Sequence, residues 1–172
     1  MPFAYFDRLS RAEQKVYLAS DAVKSIALPD AAPLILITSS LRAALGEDDR
    51  DAVAAASNDL ASSLCAALEV PGVAVAILAV RPRSTTSELH GLYTRPLDGS
   101  GAPTIEVWMR TAHHRRVVAF KTFLRTLVHE VCHHLDYEWL DLADSFHTQG
   151  FFERESSLVK QLVVTTSATR SA

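Results

Sequence analysis

The stretch Leu127-Val128-His129-Glu130-Val131-Cys132-His133-His134-Leu135-Asp136 constrains this chain more than any other. Apolar residues at Val117, Phe120, Leu124, Leu127, Val131 and Leu135 recur at steps of three and four, which predicts an amphipathic helix from His114 or Arg115 to Tyr137. Projected on that helix, His129, Glu130 and His133 fall roughly opposite the stripe, with Thr122, Thr126 and Tyr137 near them. Such a helix must bury one side in a core and turn the other towards a cleft. His129 and His133 lie one turn apart on one face, so both imidazoles can reach a single metal ion. Glu130, beside them, is placed to take a proton from an activated water. The pattern is the signature of a zinc-dependent hydrolase, usually a peptidase.

Catalytic zinc takes three protein ligands and keeps a fourth position for water. The third ligand must fold back from another element. His147 heads the candidates, because it follows His133 by enough chain for a reversal and opens the next predicted helix. Glu155 or Glu153 comes next, since some zinc peptidases take a glutamate from the following helix. Asp136, one turn beyond His133, is the third option. For a second donor to a developing oxyanion the candidates are Tyr137, His134, His113 and His114.

Around this helix the chain divides into recognisable elements. Spaced apolar residues from Leu9 to Ile26 predict a helix over roughly Asp7 to Leu28, ended by Pro29 and Pro33. Leu34 to Ile37 fits a strand or a helix start, and Ser39-Ser40 fits a helix cap. A second Ala-rich helix is expected from Asp51 to Leu68. Val73 to Val80, Glu88 to Thr94 and Thr104 to Arg110 read as strands. Their closeness in sequence predicts a small, mostly antiparallel sheet; if the Ile105-Val107-Met109 strand lies at its edge above the cleft, an extended peptide can pair with it. Phe151 to Val164 resumes helical spacing through Phe152, Glu155, Val159 and Leu162. The expected architecture is α+β: one unit over residues 1–164, with a helical part to residue 70, a sheet and metal-site helices after it, and a disordered tail at 165–172.

Composition narrows the partners. A net charge of −3 gives no sign of a general nucleic-acid-binding surface. Arg110, Arg115, Arg116, Lys121 and Arg125 form a cationic cluster that fits a solvated face better than a site for an anionic partner. The apolar run Val73–Val80 is too short to span a bilayer, and the N-terminus lacks a signal-peptide pattern. Cys65 and Cys132 do not form a disulfide framework or a zinc knuckle, and fit small buried residues in a reducing compartment. A cytoplasmic protein with no membrane association is the expectation.

At His129-Glu130-x-x-His133 and His147-Thr148-Gln149-Gly150-Phe151 the chain resembles the SprT-like (Spartan-like) minimal zincin metallopeptidases, over roughly Thr104 to Leu162. The resemblance implies a minimal zincin-like fold, His129, His133 and His147 as zinc (Zn2+) ligands, and Glu130 as the catalytic residue. Thr148 stands where the family pattern has glycine, and the acidic net charge argues against carrying over DNA-linked substrates. The expected activity is hydrolysis of peptide bonds in a protein or peptide substrate. A metal-dependent nuclease is the alternative of a second class, although its three-histidine spacing is tighter than the one here. A non-catalytic binding module on the same fold is the other alternative, and the intact Glu130 speaks against it.

Overall fold

A computed structural model of the chain describes residues 2–80, 90–96 and 101–163. Among them it is a mixed α+β structure of five α-helices and a three-stranded sheet, in the order of a short 3-10 turn (Phe6–Arg8), α1 (Arg11–Ala22), α2 (Ala32–Gly46), α3 (Arg50–Ala67), β1 (Ala74–Val80), β2 (Gly91–Thr94), β3 (Thr104–Arg110), α4 (Phe120–Glu138) and α5 (Gln149–Leu162). No helix among these residues is long and apolar enough to cross a membrane. The expected tail, and the connection after β1, lie outside the described residues.

The first predicted helix is shorter than its apolar spacing suggests. A capping box, Ser10 with Glu13, fixes its start, and Val23 leaves the helix in an extended conformation. The Leu34–Ile37 run is helical. Pro33 sits in the first turn of α2, where a missing N–H costs nothing. Ser39 and Ser40 therefore lie inside α2 and return their hydroxyls to the carbonyls of Ile35 and Leu36, rather than capping a helix. Asp49 caps α3 by accepting from the N–H groups of Asp51 and Ala52.

The sheet has the order β1-β3-β2. β2 pairs antiparallel with β3, but β1 pairs parallel with it, so the mostly antiparallel expectation is corrected. The reason is which strand takes the middle. Three strands that alternate in direction would be antiparallel throughout only with β2 at the centre. β3 buries Ile105, Val107, Trp108 and Met109, whereas β2 offers four residues with one buried, so β3 takes the centre beside its parallel neighbour. This also corrects the edge placement of the Ile105–Met109 strand. The edges are β1 and β2. The β1 edge is closed by Asn58 of α3, whose amide donates to Val75 O at 2.7 Å and accepts from Val75 N at 2.9 Å.

α4 starts later than predicted, at Phe120. Val117 and Val118 instead extend the sheet, through a bridge between Val117 and Arg110 and a bond from Val118 N to Met109 O. Leu124, Leu127, Val131 and Leu135 are all fully buried, as are Phe123, Val128 and Cys132, so α4 is the central rod of a core shared by α2, α3, α5 and the sheet.

Candidate metal centre

His129 and His133 project from the same side of α4, with ring centroids 5.0 Å apart. His147 arrives from the α4–α5 connection, one residue before Thr148. Thr148 caps α5 through its hydroxyl, which accepts from Phe151 N at 2.9 Å. His147 Nε2 lies 3.0 Å from His129 Nε2 and 3.1 Å from His133 Nε2, and the three imidazoles form a group that could hold a metal ion.

The outer nitrogens explain why the inner ones are bare. His129 Nδ1 lies 2.8 Å from the Glu155 carboxylate, which can only accept, so Nδ1 carries a proton and, in the neutral ring, Nε2 is the lone-pair nitrogen. His133 Nδ1 lies 2.7 Å from Ser145 Oγ, and that hydroxyl gives its only proton to Asp136 Oδ2 at 2.6 Å. Ser145 must then accept from His133 Nδ1–H, which leaves His133 Nε2 as a lone pair too. One N–H on His147 cannot serve both. Burial, together with the neighbouring His129 and His147, pushes the His133 imidazole down to about 3. Burial also lowers His147. Converging neutral nitrogens without enough protons to bridge them are what a cation requires. With zinc–nitrogen bonds of about 2.0–2.1 Å, ligands on a tetrahedron lie about 3.3 Å apart, close to the separations here.

Of the other candidate ligands, Glu155 and Asp136 stand one step behind. Burial pushes the Glu155 carboxyl up, but the hydrogen bonds from His129 and Arg125 outweigh it and hold it below the usual range. Asp136 is fully buried against Arg154. Glu153 faces Gln149 and Lys24 instead.

Glu130 is buried beside the cluster. Desolvation raises its carboxyl to about 7, against the pull of His129 and of the Tyr93 backbone N–H aimed at it. Its carboxylate lies so close to Gly91 that a Cβ there would be 2.5 Å from Oε1. The glycine therefore gives Glu130 its place against β2. Together these groups line a cleft of about 870 Å³, whose far wall is β2 from Gly91 to Tyr93 and whose rim includes Lys121, Arg125 and Phe152.

Tyr137 lines this cleft and donates to Asp144 at 3.3 Å. His134 is fully buried. Its Nε2 must donate to Pro71 O at 2.7 Å, so its Nδ1 accepts from Tyr93 OH at 3.2 Å. Both nitrogens are engaged, which fits a packed histidine and not an oxyanion donor. His113 and His114 sit in the β3–α4 connection, 4.5 Å apart by ring centroid and away from the cleft lining. His90 is exposed and lines the cleft. The expected cationic cluster is partly used: Arg110 pairs with Asp48, and Arg125 with Glu155 and Ser156. Gly91, Tyr93, Ser145 and Arg154 carry no motif. Only Arg154 leaves a trace in sequence, as a charge on the buried face of α5 between Phe151 and Leu158.

No family model, curated protein or solved structure matches the chain.

Proposed function

We propose that this protein is a zinc-dependent metallopeptidase of minimal zincin type. The observation that carries the reading is the convergence of three imidazole nitrogens beside a buried, protonatable carboxylate in a cleft walled by a sheet edge. His129, His133 and His147 would hold the ion, and an all-imidazole donor set suits zinc. Bound there, zinc would supply Lewis-acid activation of a water and of the scissile carbonyl.

The remaining work falls to the chain itself. Glu130 accepts the proton from water as its oxygen bonds to the carbonyl carbon, and returns it to the amide nitrogen as the C–N bond breaks. A carboxyl raised to about 7 is suited to both halves of that cycle near neutral pH. Tyr137 is the one of the four oxyanion-donor candidates that lines the cleft. β2 is the edge beside the site; Glu130 takes the Tyr93 N–H, and the rest of the β2 main chain would offer an extended substrate segment a strand to pair with. Two free, buried cysteines agree with a reducing, cytoplasmic setting.

The test is metal content and hydrolysis measured together. Wild type should carry one zinc per chain and cleave members of a broad peptide library. Glu130→Gln should keep the zinc and lose cleavage, and His147→Ala should lose both. A zinc-loaded wild type that cleaves no peptide would overturn the reading.

A further inference from the structure

The N-terminal segment, which carries no motif, is tied at three places to the α4–α5 region that carries the candidate metal ligands. Arg154 is the hub. Its side chain is fully buried, and Nη1 donates to the carbonyls of Ser20 at 2.8 Å and Val23 at 3.1 Å. These two carbonyls lie at the C-terminal end of α1, where Ser20 O also accepts from the Val23 N–H at 3.3 Å. On its other arm, Nη2 donates to Ser20 Oγ and to Asp136 Oδ1. Asp136 accepts from Ser145, and Ser145 from His133. A continuous hydrogen-bonded chain therefore runs from the end of α1 to a metal-facing imidazole.

A second tie reaches His147. Tyr5 OH donates to the His147 carbonyl at 2.9 Å, and the Tyr5 ring packs edge-on against Tyr17, which also meets Phe146. A third fixes the start of α5, where Gly150 N donates to Asp21 Oδ1 at 2.9 Å. The connection bearing His147 is thus held between α4 and the first 23 residues.

We infer that residues 3–23 are a positioning element of the metal centre, acting through Arg154–Asp136–Ser145 on His133 and through Tyr5 on His147. Neither Tyr5 nor Arg154 touches the ion. They set the orientation of the rings that do. The inference rests on the metal reading above. Its consequence is that metal affinity, and not folding alone, depends on the N-terminal segment being docked.

The experiment measures Co(II) and Zn(II) affinity by chelator competition in the full chain, with the visible spectrum of the Co(II) form as a geometric readout. Unfolding of the metal-free protein is followed in parallel. Ser145→Ala removes the link between His133 and Asp136 while leaving Arg154 and Asp136 themselves in place, and should weaken affinity about 10- to 100-fold. Tyr5→Phe keeps the ring and removes one hydroxyl, and should weaken affinity several-fold. Both should alter the Co(II) spectrum; metal-free stability should stay near wild type in Tyr5→Phe and fall in Ser145→Ala, which leaves Asp136 Oδ2 without its donor. Ser145→Thr, which keeps a hydroxyl, should recover most of the loss. Arg154→Met tests the hub, and if it fails to fold, the Ser145 and Tyr5 variants still decide. Wild-type affinity and spectrum in both would overturn the inference while leaving the metal centre intact. A wild type that binds neither metal would overturn the metal reading, and this inference with it.

Discussion

Gly91→Ala probes how the sheet and the candidate active-site helix are fitted together. The added Cβ would lie 2.5 Å from Glu130 Oε1, 2.7 Å from Cγ and 2.9 Å from Cδ. Ordinary contact begins at 3.4 Å, so the carboxylate must retreat by about 0.9 Å. Gly91 does not occupy the left-handed region, so alanine itself fits the backbone. Overpacking of this kind costs about 1–3 kcal/mol, partly offset by about 0.4–1 kcal/mol from the less flexible unfolded chain. The expected net loss, by urea unfolding of the metal-free protein, is about 1–2 kcal/mol. In a Glu130→Ala background the clash is gone, and the same substitution should be neutral or stabilising, which gives a coupling of at least about 1 kcal/mol. In the proposed reaction, moving the base by this distance should lower kcat about 100-fold with metal content unchanged. An identical stability cost in both backgrounds would refute the contact, and full turnover by Gly91→Ala would refute the role given to Glu130's position.

Three further outcomes follow from the same geometry. In metal-free protein, Glu130 is raised from 4.5 to about 7, so its charged form is disfavoured on folding. The penalty is absent below about pH 4.5 and grows until about pH 7. Glu130→Gln should therefore match wild-type stability in acid and exceed it by roughly 3 kcal/mol above neutrality, and a pH-independent difference would sink this account. Gly150→Ala would drive a Cβ into the backbone carbonyl of Asp21, which cannot swing aside as a side chain can. A loss of about 3 kcal/mol is expected in thermal or urea unfolding, and a loss well under 1 kcal/mol would mean that α1 and α5 do not approach as described. Asn58→Ala leaves the Val75 N–H and carbonyl unpaired at the β1 edge and should cost about 1–3 kcal/mol, read by hydrogen exchange at the Val75 amide.

What the sequence made legible was local. The stripe through Leu124, Leu127, Val131 and Leu135 is set by helical period alone, and the opposite side of the same projection located His129, Glu130 and His133. His147 could be singled out because histidine just ahead of a helix is chemically conspicuous. The pairing of β1 with β3 could not be read, because strand order depends on which strand is the more buried and not on which comes next. The α5 face was misjudged by about one position. Of the spaced residues Phe152, Glu155, Val159 and Leu162, only Glu155 and Leu162 are buried, and Phe151, Arg154 and Leu158 complete the buried side. A charge in the middle of an apolar stripe breaks the periodic signal, and Arg154 is buried only because Asp136, Ser20 and the end of α1 are there to receive it.

That same arginine shows why the alternatives for the third ligand were separable only in three dimensions. Asp136 and Glu155 are both within a turn or a helix of the histidines, and by spacing either could have reached the ion. Each is instead committed to a cation: Asp136 to Arg154, Glu155 to Arg125. A carboxylate already neutralised from behind gains little by turning to a second cation, and turning would strand its buried guanidinium, which in a site like that of Arg154 is costly. Facing the histidines, each carboxylate instead orders an imidazole: Glu155 by binding His129 directly, Asp136 by way of Ser145. The helix that carries His129 and His133 therefore needs these two carboxylates less as ligands than as acceptors that decide which nitrogen carries the proton and which is left bare.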